Sequence, residues 1–279
     1  MCEWHGTVDT SDRGWYRITY TAVDSFGNTV THSVDKAVMR DATLLNTVLD
    51  DFGGYYSDAE GLFGEELLLA LRAIIQDGMT ILPYNDARDI LQEADADPYQ
   101  AGNVLNIYDR VSVDATWDTN PSRLWEREHV WPNSRLGSPR AGNTTVSITS
   151  DLHNLRTITP SVNQARSNLF FDYETVSGVS YYPGEDRGDV ARIYFYMVTM
   201  YDHLILRDTL ADQPTYTREG AIQGFFSTLI DFHFDDPVDS FESHRNAVIF
   251  SYQGNRNPFI DYPHLIELIW FDHENIPED

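Results

Sequence analysis

A chain of 279 residues with 42% hydrophobic content can fill one sizeable core, or a core with a smaller lobe, without staples. Its single cysteine, Cys2, excludes an intrachain disulfide and a cysteine-rich metal cluster, and no stretch approaches the roughly eighteen apolar residues of a membrane-spanning helix. The 44 acids and 19 bases leave a net charge of −25, which argues against long-range attraction to a polyanion.

Residues 3–34 read as strands: WYRITYTAV alternates, SFGN supplies a turn and TVTHSV resumes the extended pattern. Trp4, Trp15 and Tyr16 are assigned there to packing rather than to base stacking. The opening MCEWHGTVDT lacks a basic start followed by an apolar run and does not read as a secretory signal. A helix is expected from near Asp41, with Leu44, Leu45, Val48 and Leu49 on one side and Gly53 and Gly54 as its stop. A second is expected over Glu65–Gln76, its leucines and isoleucines forming a broad apolar stripe that ends at Gly78. A third is expected from Tyr84 to about Ala94, after Pro83.

NVLNIYDRVSV is strand-like and leads through a polar connector to LWEREHVW, where Pro132 limits how far a strand can run. DLHNLRTI offers a short extended run, after which Thr159 can cap a helix with Pro160 in its favoured first position. The pattern is therefore strand, loop, strand, helix. DVARIYFYMVTMYDHLIL is helical and apolar enough to be buried, and helical signals return in GAIQGFFSTLIDFH, PVDSFESHRNAVIFSYQ and PHLIELIW.

Between Pro121 and Asn168 the charge balance reverses. Arg123, Arg127, Arg135, Arg140, Arg156 and Arg166 outnumber Glu126, Glu128 and Asp151, so a polyanion repelled elsewhere could be tolerated here. Scattered surface arginines could give the same balance. Lys36 is the only lysine; an acidic, arginine-retaining surface suits a salty habitat, where the Debye length falls to about 3 Å near 1 M salt. A lineage bias in composition would look the same.

REHVW sets Arg127, Glu128 and His129 in succession. Adjacent strand residues face opposite ways, so Glu128 and His129 share a site only at a bulge or a strand end. Hydrolysis of a phosphodiester needs a water deprotonated and negative charge neutralised. A neutral histidine titrates in the right range to accept that proton, and a hard divalent cation prefers oxygen donors such as the Glu128 carboxylate and the Asn163 amide. Asparagine is a mediocre helix residue, and a metal would justify Asn163; a surface asparagine is the commoner reading of an isolated case. Arg166 lies three residues on, on the same helical face, within reach of the phosphate region. His153 in DLHNL would tie the second strand to the first, with Asp151 accepting a backbone hydrogen bond; direct catalysis by His153 is the lesser reading. Arg245, Arg256 and Asn257 would either bind backbone phosphates or lock the last helix in place, and their apolar flanks favour locking.

REHVWPNS followed by DLHNLRTITPSVNQARSN resembles the endonuclease I family of bacterial periplasmic and extracellular nucleases, of the His-Me finger (ββα-metal) class. ELLLALRAII, NVLNIYD, GDVARIYFYMVTMY and FESHRNAVIFSYQGNRNPFIDYPHLIELIW extend the resemblance over roughly Asp41 to Trp270. It implies an α+β fold: a mainly helical scaffold around a ββα-metal core near 123–170, within a catalytic domain at 41–279, after a strand-rich segment at 1–40. It implies His129 as general base and Glu128 and Asn163 as ligands of Mg2+, with Mn2+ or Ca2+ as substitutes. A phosphate-binding arginine would be Arg135, Arg140 or Arg156, while Arg166 and Asn168 would organise the helix and its surroundings. It further implies an extracellular or periplasmic monomer without an obligate protein partner, cutting DNA and also RNA with little sequence preference to leave 5′-phosphates. Two departures stand out: many secreted relatives use several cysteines, and the first forty residues lie outside the match.

Overall fold

The alternating N-terminal runs form three strands, β1 (Cys2–His5), β2 (Gly14–Val23) and β3 (Thr29–Val38), in an antiparallel sheet of order β1-β2-β3. Ile18 stands opposite Val34, and the Thr19 and Ser33 hydroxyls meet across the ladder at 3.1 Å. The computed structural model describes residues 2–7, 14–23, 26–38, 44, 46–120, 122–210 and 214–270. The side chains of Trp4, Trp15 and Tyr16, and with them their expected packing role, lie outside what is described. The chain divides into two compact units, Met1–Ala70 with His264–Asp279, and Leu71–Pro263.

The start of the helix expected from Asp41 lies outside the described residues, as does Leu45. Thr47–Asp50 are not helical, and a side chain takes a donor that a helix would have used: Glu60 Oε1 accepts from Leu49 N at 2.9 Å. Turns through Gly53 and Gly54 follow.

Helix α1 (Gly64–Gln76) forms as its stripe requires, with Leu67, Leu71 and Ile75 fully buried at helical spacing and Gly78 left-handed beyond its end. The third expected helix starts later than Tyr84, as α2 (Ala87–Ala94), because residues 84–86 are spent on turns. Its buried face, Ala87, Ile90, Leu91 and Ala94, packs with Val104, Trp125, Leu152, Leu155, Val248 and Ile249. NVLNIYDRVSV is two strands rather than one. β4 (Asn103–Leu105) and β5 (Ser112–Asp114) pair antiparallel around a reversal in which Tyr108 and Arg110 adopt positive φ.

The centre of the second unit is the expected strand, loop, strand, helix: β6 (Glu126–His129), β7 (Leu155–Ile158) and α3 (Pro160–Arg166), with β6 and β7 antiparallel. Thr159 occupies the cap position and Pro160 the first turn, but the Thr159 side chain makes no cap hydrogen bond; its Oγ1 accepts from Asn106 Nδ2 at 3.0 Å. Two short parallel pairs follow, β8 (Phe170–Phe171) with β9 (Ser180–Tyr181), and β10 (Ile205–Leu206) with β11 (Ile222–Gln223).

Helix α4 (Arg187–Met200) is buried over almost its whole length, as an all-round apolar helix must be. Its one deep cation, Arg192, is paired by Glu242 through Nε at 2.7 Å and Nη2 at 2.5 Å. Removing one partner of so buried a pair typically destabilises by about 3–5 kcal/mol. Helices α5 (Phe226–Asp235), α6 (Ser240–Gln253), α7 (Pro258–Asp261) and α8 (Leu265–Trp270) complete the α+β fold, a mainly helical scaffold with a smaller strand-rich N-terminal region. α6 ends at Gly254, whose positive φ and close approach to the Gly78 carbonyl leave no room for a Cβ.

The C-terminal arginines lock rather than reach outward. Arg245 donates to Asp95 at 2.8 Å and to the Leu152 and Leu155 carbonyls, fixing the entry to β7. Arg256 forks onto Asp261, and Asn257 caps α7 while donating to Arg192 O at 3.1 Å.

Candidate active site

Strand β6 sets two carboxylates on one face, Glu126 and Glu128, because side chains alternate along a strand. His129 is its last residue. The strand ends there before Pro132, and so both Glu128 and His129 line one cleft of about 520 Å³. Asn163 from α3 and Glu126 line the same cleft, as do Tyr84, Asn133 and Arg140.

Glu128 is buried, its Oε1 accepting from the Tyr108 hydroxyl at 2.9 Å with Arg166 Nε at 3.6 Å. Burial pushes its carboxyl up to about 7; Arg166 and Tyr108 oppose the rise, and Glu126 adds to it. Asn163 donates Nδ2 to Glu126 Oε1 at 2.8 Å. A carboxylate can only accept, so this bond fixes which end of the amide is which and leaves Oδ1 as the free end.

His129 places Nε2 at 2.7 Å from the Thr149 carbonyl. A carbonyl cannot donate, so in the neutral ring the proton sits on Nε2 and Nδ1 carries the lone pair. Asn133 Nδ2 also lies 3.2 Å from Nε2 while its Oδ1 accepts from Ala141 N at 3.4 Å; the shorter contact, with the Thr149 carbonyl, decides the proton's place. Burial pulls the imidazole down to about 4 against the Thr149 contact, with Arg127 and Arg166 adding to the fall. The ring is therefore neutral at ordinary pH. Tyr84 stacks on it, centroids 5.2 Å apart, and Thr149 is held by a turn in which Ser147 and Ser150 cap one another.

The donor set suits a hard divalent cation: two carboxylates on one strand face, Glu126 and Glu128, and the Asn163 amide lining the same cleft. Among the described residues no group of three or more His, Cys, Asp or Glu side chains is poised for a metal.

The arginines expected to meet phosphate part company. Arg140 is exposed and lines the cleft. Arg135, half-buried at the end of a short turn, is not among the lining residues. Arg156 is buried between Asp95 at 3.3 Å and Asp189 at 3.0 Å. Arg166, expected near the phosphate, is fully buried; it donates to Val130 O at 2.6 Å and Tyr194 OH at 2.8 Å, because its guanidinium turns inward off α3 onto the end of β6. Asp151 accepts the backbone bond expected of it, from His153 N at 3.0 Å, but His153 ties β7 to the C-terminal segment through Asn255 O rather than to β6.

Tyr84, Tyr108, Asn133 and Thr149 had no functional reading from sequence. Glu126 had a signal that went unused: two residues before Glu128 on a strand is the same face.

The family model for Endonuclease I matches residues 64–187 and 183–264. The chain belongs to the endonuclease I family. It is 35% identical over 236 residues to the extracellular ribonuclease of Bacillus subtilis (strain 168), covering 79% of each chain. It is 36% identical over 232 residues to the extracellular ribonuclease of Bacillus amyloliquefaciens, covering 77% of this chain and 78% of that one. Membership in the endonuclease I family supports a metal-dependent phosphodiesterase activity on nucleic acid. No helix among the described residues is long and apolar enough to cross a membrane.

Proposed function

We propose that this cleft is the active site of an endonuclease that hydrolyses RNA and DNA with little sequence preference, acts outside the cytoplasm as a monomer, and leaves 5′-phosphates. The observation that carries the reading is the Nε2 contact of His129 with Thr149 O, which leaves the lone pair on Nδ1 of a ring that lines the same cleft as Glu128 and Asn163. RNA enters through the printed names of the two relatives, both ribonucleases. So does the location, both being extracellular.

In this reading His129 takes a proton from the attacking water at Nδ1 while Thr149 O holds the ring in the required tautomer. Glu128 and the Asn163 amide oxygen would hold one divalent cation, Mg2+ first, and Glu126 orients the amide. That cation, when bound, neutralises phosphate charge and supports the departing oxygen. In this reading Arg166 is a positioning residue acting through Glu128 and Val130, and Arg140, exposed and lining the cleft, is the arginine that would meet the scissile phosphate. Adaptation to high salt belongs to the same reading, since screening suppresses repulsion of a polyanion by the acidic remainder.

The test is cleavage of supercoiled plasmid and of RNA by the full chain with magnesium, with chelator and His129→Ala as controls, followed by end-group analysis. Loss with chelator and with His129→Ala, and 5′-phosphate ends, is expected. Nearly full metal-dependent activity in His129→Ala would remove the base assignment.

A further inference from the structure

Beside the carboxylates the cleft wall changes character. Trp117, Tyr84, Arg88, Arg123 and Arg127 all line it. The guanidinium carbons of Arg88, Arg127 and Arg123 lie 4.7, 5.5 and 5.9 Å from the centre of the Trp117 indole, and Arg127 also lies 3.5 Å over the Tyr84 ring. Three like charges gathered on one indole repel one another, in a chain whose net charge is −25.

Among the described residues little neutralises them. Arg123 has one ion pair, with Glu126 at 3.8 Å. Arg88 donates to an uncharged amide, Asn143 Oδ1, at 3.1 Å, and Arg127 to the Tyr84 carbonyl. Compare Arg156, Arg192 and Arg245, each bound to one or two carboxylates. Most N–H donors of the wall are therefore uncommitted, and the Nε of Arg88 is buried with no acceptor. Planar guanidinium forks match phosphate oxygens.

We propose that Arg88, Arg123 and Arg127, held in order by Trp117, form a second subsite that binds backbone phosphates of the polynucleotide next to the one being cut. The inference rests on reading the cleft as a polynucleotide site. The indole is a scaffold here and not a platform for a base: guanidinium groups sit over it, and Trp125 packs edge-on against it at 4.8 Å. Recognition through phosphate alone is blind to base and sugar, so the subsite serves RNA and DNA alike.

The probe is a fluorescein-labelled single strand of about 20 nucleotides, bound by the full chain in a His129→Ala background with magnesium and followed by anisotropy across a salt series. Each phosphate contact on a single strand contributes about 0.7 to the slope of log affinity against log salt. Arg88→Gln with Arg123→Gln is expected to lower that slope by about 1.4, and each alone by about 0.7, so that either single variant carries the test if the double does not fold. Arg187→Gln, which removes the same charge outside the cleft lining, is expected to leave the slope alone. A slope unmoved by the double and by both folded single variants overturns the subsite, and so does an equal fall in Arg187→Gln. Failure of the chemistry shows separately, as a wild-type chain that does not cut.

Discussion

His129 and His153 make an instructive pair. Both are buried, both are pulled low by burial, to about 4 and about 3, and both set Nε2 against a backbone carbonyl, Thr149 O at 2.7 Å and Asn255 O at 3.2 Å. They differ in what meets the other nitrogen. The His129 ring lines a cleft with Glu128 and Asn163, whereas His153 packs on Tyr196 at 4.4 Å with its Nδ1 buried and unpartnered. A depressed basicity and a fixed tautomer are thus common to both. What separates the proposed base from the brace is that only the first lines the cleft.

The largest expected effect breaks the pair cleanly. His129→Ala should lower the rate by about 10²–10⁴-fold, the usual worth of a general base, while leaving metal affinity and thermal stability near those of the parent. Paired rate and melting measurements check this, and a matching collapse of stability would make His129 a brace as well.

The next effect concerns the amide. Glu126→Ala removes the acceptor that holds Asn163 Nδ2, so metal affinity should weaken by about 10- to 100-fold, as for other groups that orient a ligand. Magnesium titration of the rate, read beside titration of the melting temperature, measures it. Unchanged affinity in both would leave the amide orientation unexplained by this bond.

The dependence on pH sharpens the contrast further. Glu128 is raised to about 7 in the metal-free protein, so its burial favours the protonated form and stability falls as pH rises from the ordinary carboxylate range through 7. A cation held by Glu128, as proposed, would compete with that proton. The acid limb of the rate profile should therefore shift to lower pH as magnesium is increased, while His129 stays neutral down to about 4. Profiles at two magnesium concentrations that superimpose would count against this competition.

The smallest effect falls on His153. Replacing it with phenylalanine should leave catalysis intact and lower stability at neutral pH by about 1–3 kcal/mol, because Asn255 O loses its donor. A histidine lowered to about 3 contributes stability that is present above its unfolded value and lost as pH falls through the folded one. The acid loss of stability should thus be shallower in His153→Phe, by denaturation at pH 7 and pH 4.

Sequence made the scaffold legible wherever one face decides. The stripes of α1 and α2, the apolar bulk of α4 and the start of α3 at Pro160 follow from periodicity and from proline's fixed φ, which act within a few residues. NVLNIYDRVSV misled because alternation does not reveal a reversal, and here the turn uses Tyr108 and Arg110 at positive φ instead of glycine. At the site, Glu128, His129 and Asn163 stood in local motifs. Tyr108, Tyr84 and Thr149 come from segments about 20 to 45 residues from His129 and reach Glu128, in the case of Tyr108, or His129, for the other two, only through tertiary packing. Charge counting treated six arginines alike, yet Arg156 and Arg166 are sealed inside while Arg123, Arg127 and Arg140 face the cleft. No spacing rule separates them, since inward or outward depends on which carboxylates the fold brings near.

The mutual cap of Ser147 and Ser150 carries a last consequence. It pins the peptide whose oxygen meets His129 Nε2, so two hydroxyls help to hold the ring's tautomer. If His129 acts as proposed, drift in this part of the chain would be felt as chemistry before it was felt as unfolding, and the stretch from Ser147 to Ser150 would in that sense be part of the catalyst.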